Sequence, residues 1–293
     1  MAFGPHLLLA VLEGLVTSAV LALTALGLSL VFGVMRVVNV AHGELFMLGA
    51  VLAWAIATSI GGSPAVGFMA ALVLAPLIVG AVALAAERLA LRKVNYDPEA
   101  TIVATIGLLY IIQQLALTFY GADARPVPPP FNMRISLPWF GYSGYKLSII
   151  AASALLLVVS WLVMTKTKAG LIMRATQYDR ETAQAFGIPV DRVYAGVFAL
   201  GAMLAAIAAV LIVPISQAHY LMGQDPLLLS FIVVIIGGLG SLRGTVVAAV
   251  LIGVSDGVIS MFFSPTLAKM IATLLVAMVL VFRPQGLFGR AVR

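Results

Sequence analysis

The feature that most constrains this chain is a series of apolar stretches, most of them close to the length at which a helix crosses a bilayer. They run Leu7–Met35, Leu45–Ile60, Val66–Ala86, Thr101–Tyr120, Leu147–Thr165, Val193–Ile215, Leu227–Leu239, Thr245–Phe263 and Leu267–Phe282. At roughly 20 residues per crossing, range about 17–25, they hold enough chain for about nine spans. Leu227–Leu239 is too short to cross alone, and Leu7–Met35 is too long for one simple crossing. Backbone in hydrocarbon must satisfy its own polar groups, so the spans are helices. The expectation is an all-α, polytopic integral membrane protein of about 8–10 transmembrane helices, with broken or re-entrant segments.

Only 10% of the residues are charged, too few for a water-facing surface. Seventeen Lys and Arg against eleven Asp and Glu leave a net charge of +6. The basic residues stand singly or in pairs between apolar runs rather than in aromatic-laced patches, so the excess records topology and not nucleic-acid binding. Arg88, Arg92 and Lys93 fall in one connection, Lys166, Lys168, Arg174, Arg180 and Arg192 in another, and Arg283, Arg290 and Arg293 in the tail. Even numbers of crossings separate these segments, so all three can face the cytoplasm. The Pro-rich stretch 121–146, with Arg125, Arg134 and Lys146, then faces outside. The start has two readings: outside if Arg36–Glu44 is a cytoplasmic loop, inside if that segment is re-entrant. The first apolar run has no basic n-region and no A-x-A site, which argues against a cleaved signal peptide. No connection approaches the roughly 50 residues of an independent domain, so residues 1–293 read as one membrane domain.

Catalytic chemistry has little to work with. There is no cysteine, and His6, His42 and His219 lie far apart with no HExxH spacing. None of Lys93, Lys146, Lys166, Lys168 and Lys269 ends a GxxxxGK[ST] loop, so ATP would have to be bound by another subunit.

Several segments interrupt the apolar pattern. In Val34–Ala50, Arg36, Asn39, His42 and Glu44 stand in apolar surroundings beside Gly43. A helix starting near Gly43 would aim its unpaired N–H groups at whatever lies before it, as broken helices in transporters do; a short cytoplasmic turn with capping residues is the plainer account. In 166–192, Leu171–Phe186 has no breaker and Gly187 with Pro189 supplies a stop. One helix there would place Ile172, Ala175, Asp179, Ala183 and Phe186 on a single face, suited to a partner's groove; a helix lying on headgroups is the rival reading. Gly237–Gly253 reads as a flexible break followed by a small-residue packing face. A faint internal echo pairs His42–Gly43 with Arg243–Gly244. Asp256 falls mid-span, where a carboxylate must be paired or wet, and is a candidate for the path. Glu13 and Lys269 lie nearer segment ends, where snorkelling accounts for them.

The stretch GLSLVFGVMRVVNVAHGELFMLGA resembles the N-terminal signature of LivH-type permeases, subunits of branched-chain amino-acid ABC importers. TIGLLYIIQQLALTFYGADARPVPPP, AGLIMRATQYDRETAQAFGIPVDRV, GGLGSLRGTVVAAVLIG and FRPQGLFG are similar to further segments of that family in the same order. The resemblance implies a multi-pass permease subunit of the bacterial inner membrane, importing branched-chain or related amino acids by ATP-driven alternating access. It implies as partners a second, LivM-like permease, two ATPase subunits and a periplasmic binding protein, besides membrane lipids. ATP and Mg would be bound by the ATPases, with no cofactor in this chain. Coupling would fall on Gly170, Arg174, Ala175, Asp179, Glu181, Ala183 and Gly187, and translocation on Asn39, His42, Gly43 and Glu44. One departure is Ala205–Ala209, which lacks a glycine common in relatives near Ala209 and puts a close helix crossing there in doubt. Permeases for urea, amides or aromatic acids share these segments, and a stand-alone secondary transporter is the alternative from another class.

Overall fold

A computed structural model describes residues 3–60, 62–283 and 285–288. Arg290 and Arg293 of the basic tail, together with Pro284 and Gly289 of the final matched segment, lie outside the described residues. The helices in chain order are α1 (Phe3–Met35), α2 (His42–Ser59), α3 (Pro64–Ala86), α4 (Pro98–Phe119), α5 (Gly144–Lys166), α6 (Lys168–Tyr178), α7 (Arg180–Ala185), α8 (Val190–Ser216), α9 (Gln224–Gly237), α10 (Leu242–Phe262) and α11 (Pro265–Phe282). A π-helical turn, Glu87–Leu91, extends α3. Strands β1 (Arg134–Ser136) and β2 (Gly141–Ser143) form an antiparallel hairpin within the Pro-rich stretch, with Ile135 opposite Tyr142.

Local chemistry sets the helix starts. α3, α4 and α11 each begin with a proline at the first helical position, preceded by Ser63, Asp97 and Ser264, whose side chains accept from backbone N–H groups of the first turn. Proline costs nothing there because its missing N–H would be unpaired anyway, and the oxygen satisfies a donor that lipid cannot. Among the described residues, eight helices are long and apolar enough to cross a bilayer. α9, with 14 residues, is not.

α1 is one uninterrupted helix of 33 residues, not the broken one its length suggested. Between Glu13, whose carboxylate pairs with Lys146 at 2.7 Å, and Arg36, it covers roughly 35 Å at 1.5 Å per residue, about one bilayer core plus its edges. The excess length lies before Glu13. The Arg36 end also holds the Arg92–Asp191 ion pair at 2.8 Å, the α5–α8 connection and the end of α11. The positive-inside rule assigns that basic end to the cytoplasm; on this assignment, which also defines inner and outer, α1 begins on the outer side. Outer-side basics are tied down: Arg125 stacks over Trp54 and Tyr120 at 4.3 and 4.7 Å, and Lys146 is held by Glu13.

α1 and α8 are central and largely buried, while α4, α5 and α11 present apolar outer faces. One buried cluster joins α1, α2, α3 and α8, and a second joins α1, α9 and α10. In the alanine-rich stretch of α8, Ala205, Ala206, Ala208 and Ala209 are all fully buried. The crossing there is close after all, because the glycine is on the other helix: a Cβ on Gly49 of α2 would sit 2.7 Å from the Ala206 backbone. Ala248, Ala249 and Gly253 are buried, as a packing face requires, with Gly253 against Ser18 of α1.

Candidate functional site

Two regions bring together the residues singled out in the sequence. The first lies at mid-membrane. After Met35 the chain turns at Arg36, whose φ is 56°, and whose guanidinium donates to the Gln177 carbonyl. It then runs back into the bundle. Asn39 makes a local turn, its Oδ1 accepting from Ala41 N at 3.1 Å, while Val40 N donates to Thr105 of α4 at 3.2 Å. α2 begins at His42, whose Nε2 lies 2.9 Å from the Thr24 carbonyl, so Nε2 carries the proton and donates. Thr24 is halfway between Glu13 and Arg36 along α1, about 17 Å from each level, so α2 starts at the bilayer midplane. The segment is thus re-entrant, and with the basic end cytoplasmic the chain starts outside, a combination that neither reading of Arg36–Glu44 contained.

α9 does the reverse. Ala218 is held at the outer end by Arg125 and by the Tyr120 hydroxyl, and residues 219–223 descend to the start of α9. There Gly223 abuts Gly43. A Cβ on either glycine would fall on the other's carbonyl, so no side chain fits at this junction. The first turns of α2 and α9 therefore meet mid-membrane, one helix leaving outward and the other inward.

Converging helix N-termini concentrate partial positive charge, and Glu44 in the first turn of α2 answers it. Asn39, His42 and Glu44 are 1%, 0% and 2% exposed. Among the described residues, His42 Nδ1 and Glu44 Oε2 are buried with no hydrogen-bond partner. In this conformation the junction is a packed polar plug and not an open lumen.

Asp256 is not part of it. Its neighbour Gly257 packs on Gly14 and Ala10 of α1, which places Asp256 in the outer half of the membrane and not at mid-span. There it feels Lys269 and Asp225, which pair with each other at 2.7 Å on α11 and α9. All three are half-exposed or exposed on the bundle's side. This grouping has no signature in the sequence, because the three charges sit on different helices and only the fold makes them neighbours.

The second region is segment 166–192, at the basic end of the bundle. It is two helices and not one: Asp179 has an extended backbone (φ −153°, ψ 111°), ends α6 and caps α7. Its Oδ1 accepts from Thr182 N at 3.1 Å and its Oδ2 from the Thr182 hydroxyl at 2.6 Å. The Thr182 hydroxyl is the main reason the Asp179 carboxyl is held below the usual carboxylate value. The expected single face is accordingly split. Ala183 turns inward and is buried, Ala175 is half-buried, and Ile172, Asp179, Glu181 and Phe186 face out. Gly170 is buried in the α5–α6 corner, where a Cβ would strike the Val163 and Met164 carbonyls. Arg174 folds back on the same corner, its guanidinium donating to the Gly170 and Thr165 carbonyls. Gly187 has φ +79° and ends α7 as its position suggested.

What periodicity missed is the apolar surface made by the break: Tyr178 and Phe186 are each 83% exposed, with Leu171 at 60%. The pair of helices is fixed to the spans. Arg180 lies over the rings of Tyr96 and Tyr194 at 5.8 and 5.5 Å, and the Tyr96 hydroxyl donates to Glu87 at 2.5 Å. Burial first, and then the Glu87 carboxylate, push the Tyr96 phenol well above its ordinary range.

The family model for the branched-chain amino acid transport system permease component matches residues 10–282. The LivH high-affinity branched-chain amino acid permease of Escherichia coli K12 is 27% identical over 301 aligned residues, covering 95% of this chain and 94% of that one. The BraD permease of Pseudomonas aeruginosa is 28% identical over 301 residues, covering 97% and 96%. A probable LivH permease of Methanocaldococcus jannaschii is 27% identical over 299 residues, covering 95% and 92%.

Proposed function

This chain belongs to the family of permease components of branched-chain amino acid transport systems, a multi-pass integral membrane protein, and on that premise we propose that it is a solute-conducting subunit of an ATP-driven importer of branched-chain or related small amino acids. The observation that carries the reading is the α6–α7 pair. It is a short cytoplasmic element with exposed Tyr178 and Phe186 on one side and rigid attachments to α3, α5 and α8 on the other. Aromatic side chains standing in water beside a fixed base suit a groove on a partner. Two ATPase subunits are the proposed partners, with ATP and Mg held on them.

Gly170, Arg174 and Gly187 would fix the shape of the coupling element. Asp179 would set the angle between its helices, and Ala175, Glu181 and Ala183 would complete its two sides. Movement of α6–α7 reaches α5 through the Gly170 corner and α8 through Arg180 on Tyr194. Asn39, His42, Gly43 and Glu44 would form the mid-membrane closure that opens when those spans shift. The route to it from outside would follow the face carrying Asp225, Asp256 and Lys269. Charges are too costly against lipid, so this face is covered by water and by a second permease subunit. A periplasmic binding protein would deliver solute to its outer end.

The test is reconstitution of the chain with its ATPases, a second permease and the binding protein in proteoliposomes. Tyr178→Ala with Phe186→Ala should leave basal ATPase activity in place and abolish its stimulation by liganded binding protein. Full stimulation and uptake in the double variant would sink the coupling role. Uptake by this chain alone, driven by an ion gradient, would replace the reading with a secondary transporter. Exchanging leucine for urea, short amides or aromatic acids decides the solute.

A further inference from the structure

Where α3 leaves the membrane on the cytoplasmic side, a groove of about 850 Å³ opens between its π-helical extension and the start of α8. Its depth can be counted along the helices. Twenty residues, or about 30 Å, inward from the outer ends Pro64 and Ser216 bring α3 to Leu84 and α8 to Gly196, both in the groove wall. Leu84, Ala195 and Gly196 are therefore at the inner edge of the hydrocarbon. Arg88 and Arg192 are one turn further out, and Arg92 two turns, at headgroup depth. The space beside Gly196 is open, with no atom within 4 Å of where a side chain would begin.

The charges are arranged for an anion. Arg92 is engaged by Asp191 at 2.8 Å. Glu87 is buried in the groove floor and accepts from the Tyr96 hydroxyl. Arg88 and Arg192 are exposed at the rim, and among the described residues neither guanidinium has a hydrogen bond or ion pair. Two free guanidiniums over an apolar slot at the membrane edge match a phosphodiester with an acyl chain below it, because a guanidinium binds phosphate oxygens in a bidentate manner. We propose that this groove binds an anionic phospholipid, with the headgroup phosphate on Arg88 and Arg192 and one acyl chain along Leu84, Ala195 and Gly196. Gln184 and Gly187, at the end of α7, also line the groove, so the bound lipid would brace α7 against α3. The proposal concerns this chain alone and stands apart from the transport reading.

Native mass spectrometry of the purified full-length chain tests it, with phosphatidylglycerol, phosphatidylcholine of the same acyl chains, or inorganic phosphate added. One phosphatidylglycerol per chain should survive delipidation preferentially over phosphatidylcholine. Arg88→Ala with Arg192→Ala should weaken its retention about tenfold or more, since two charge-assisted contacts are lost. The melting temperature without added lipid should not change, because both side chains are exposed. Gly196→Phe, filling the slot, should weaken phosphatidylglycerol and leave any phosphate binding intact. Equal retention of the two lipids, or retention unaffected by the double arginine variant, overturns the site. Inorganic phosphate competing as well as the lipid, with Gly196→Phe silent, would make it a free-phosphate site and overturn the lipid assignment.

Discussion

At Gly223 one added methyl group would occupy the place of the Gly43 carbonyl, and backbone on both sides leaves it nowhere to go. Gly223→Ala and Gly43→Ala should each lower stability by about 1–3 kcal/mol or more, the usual cost of overpacking a closed site. Thermal unfolding of the detergent-solubilised variants measures this; an unchanged midpoint for both would mean that the two helix starts do not touch. Glu13→Gln makes the contrast. It removes a 2.7 Å ion pair whose side chains are 38% and 26% exposed, so screening holds the loss to roughly 1 kcal/mol or less in the same assay. Both effects were hidden in the sequence for one reason. A glycine in an apolar run and an acid near a helix start are unremarkable until the residue facing them is known.

The break between α6 and α7 was legible only in part. Leu171–Phe186 contains no glycine or proline, and its periodicity supports one helix. Asp179 overrides it because its carboxylate binds the Thr182 N–H and hydroxyl, offering the backbone an alternative to helix continuation. Asp-x-x-Thr three residues apart is the signal that could have found it. Asp179→Ala should therefore weaken the break and increase protease cleavage within 178–186, with Asp179→Asn closer to wild type; under the proposed coupling role it should also reduce ligand-stimulated ATPase activity of the reconstituted complex. Because the folded carboxyl lies below its ordinary value of 3.8, the cap contributes fully above that pH and fades as pH falls below it. Protection of 178–186 measured across neutral pH should be flat, and a rise or fall between pH 6 and 8 would need another titrating group. The short β1–β2 hairpin went unforeseen because its strands are too brief to show a period.

For the whole molecule, the charged group Asp225–Lys269 with Asp256 is the most telling placement, since three ionisable groups on three helices share one side between the mid-membrane start of α9 and the outer edge. If that side faces the solute route, Asp225→Lys or Lys269→Asp alone should cut uptake by about tenfold or more, and the swapped pair should restore part of it, as coupled charges do. Equal uptake in all three, at matched expression, would place the face against a structural contact instead. Asp256→Asn tests the same route with a single charge and should change uptake while changing the unfolding free energy by no more than about 1 kcal/mol. That the chain holds some eight to ten long apolar helices followed from apolar length, while their exact number and the side on which the chain starts stayed open in the sequence. The two re-entrant descents did not follow from it, because residues 36–41 and 217–223 look like ordinary connections until their ends are given a depth.

The apolar runs, the sparse charges and the punctuation by proline and glycine determined by themselves that this is an all-α membrane protein, where its long helices lie, and which connections gather at the basic end. Those are local or one-dimensional properties: span length, side-chain transfer energy and helix capping are each set by residues close in sequence. Only the tertiary structure decided that α2 and α9 start at the midplane against each other, that Asp256 belongs with Asp225 and Lys269 and not with His42, and that α7 is tied to α3 through Tyr96 and Glu87. Each of those rests on contacts between segments far apart in the chain, whose pairing depends on how the helices cross and which faces they bury.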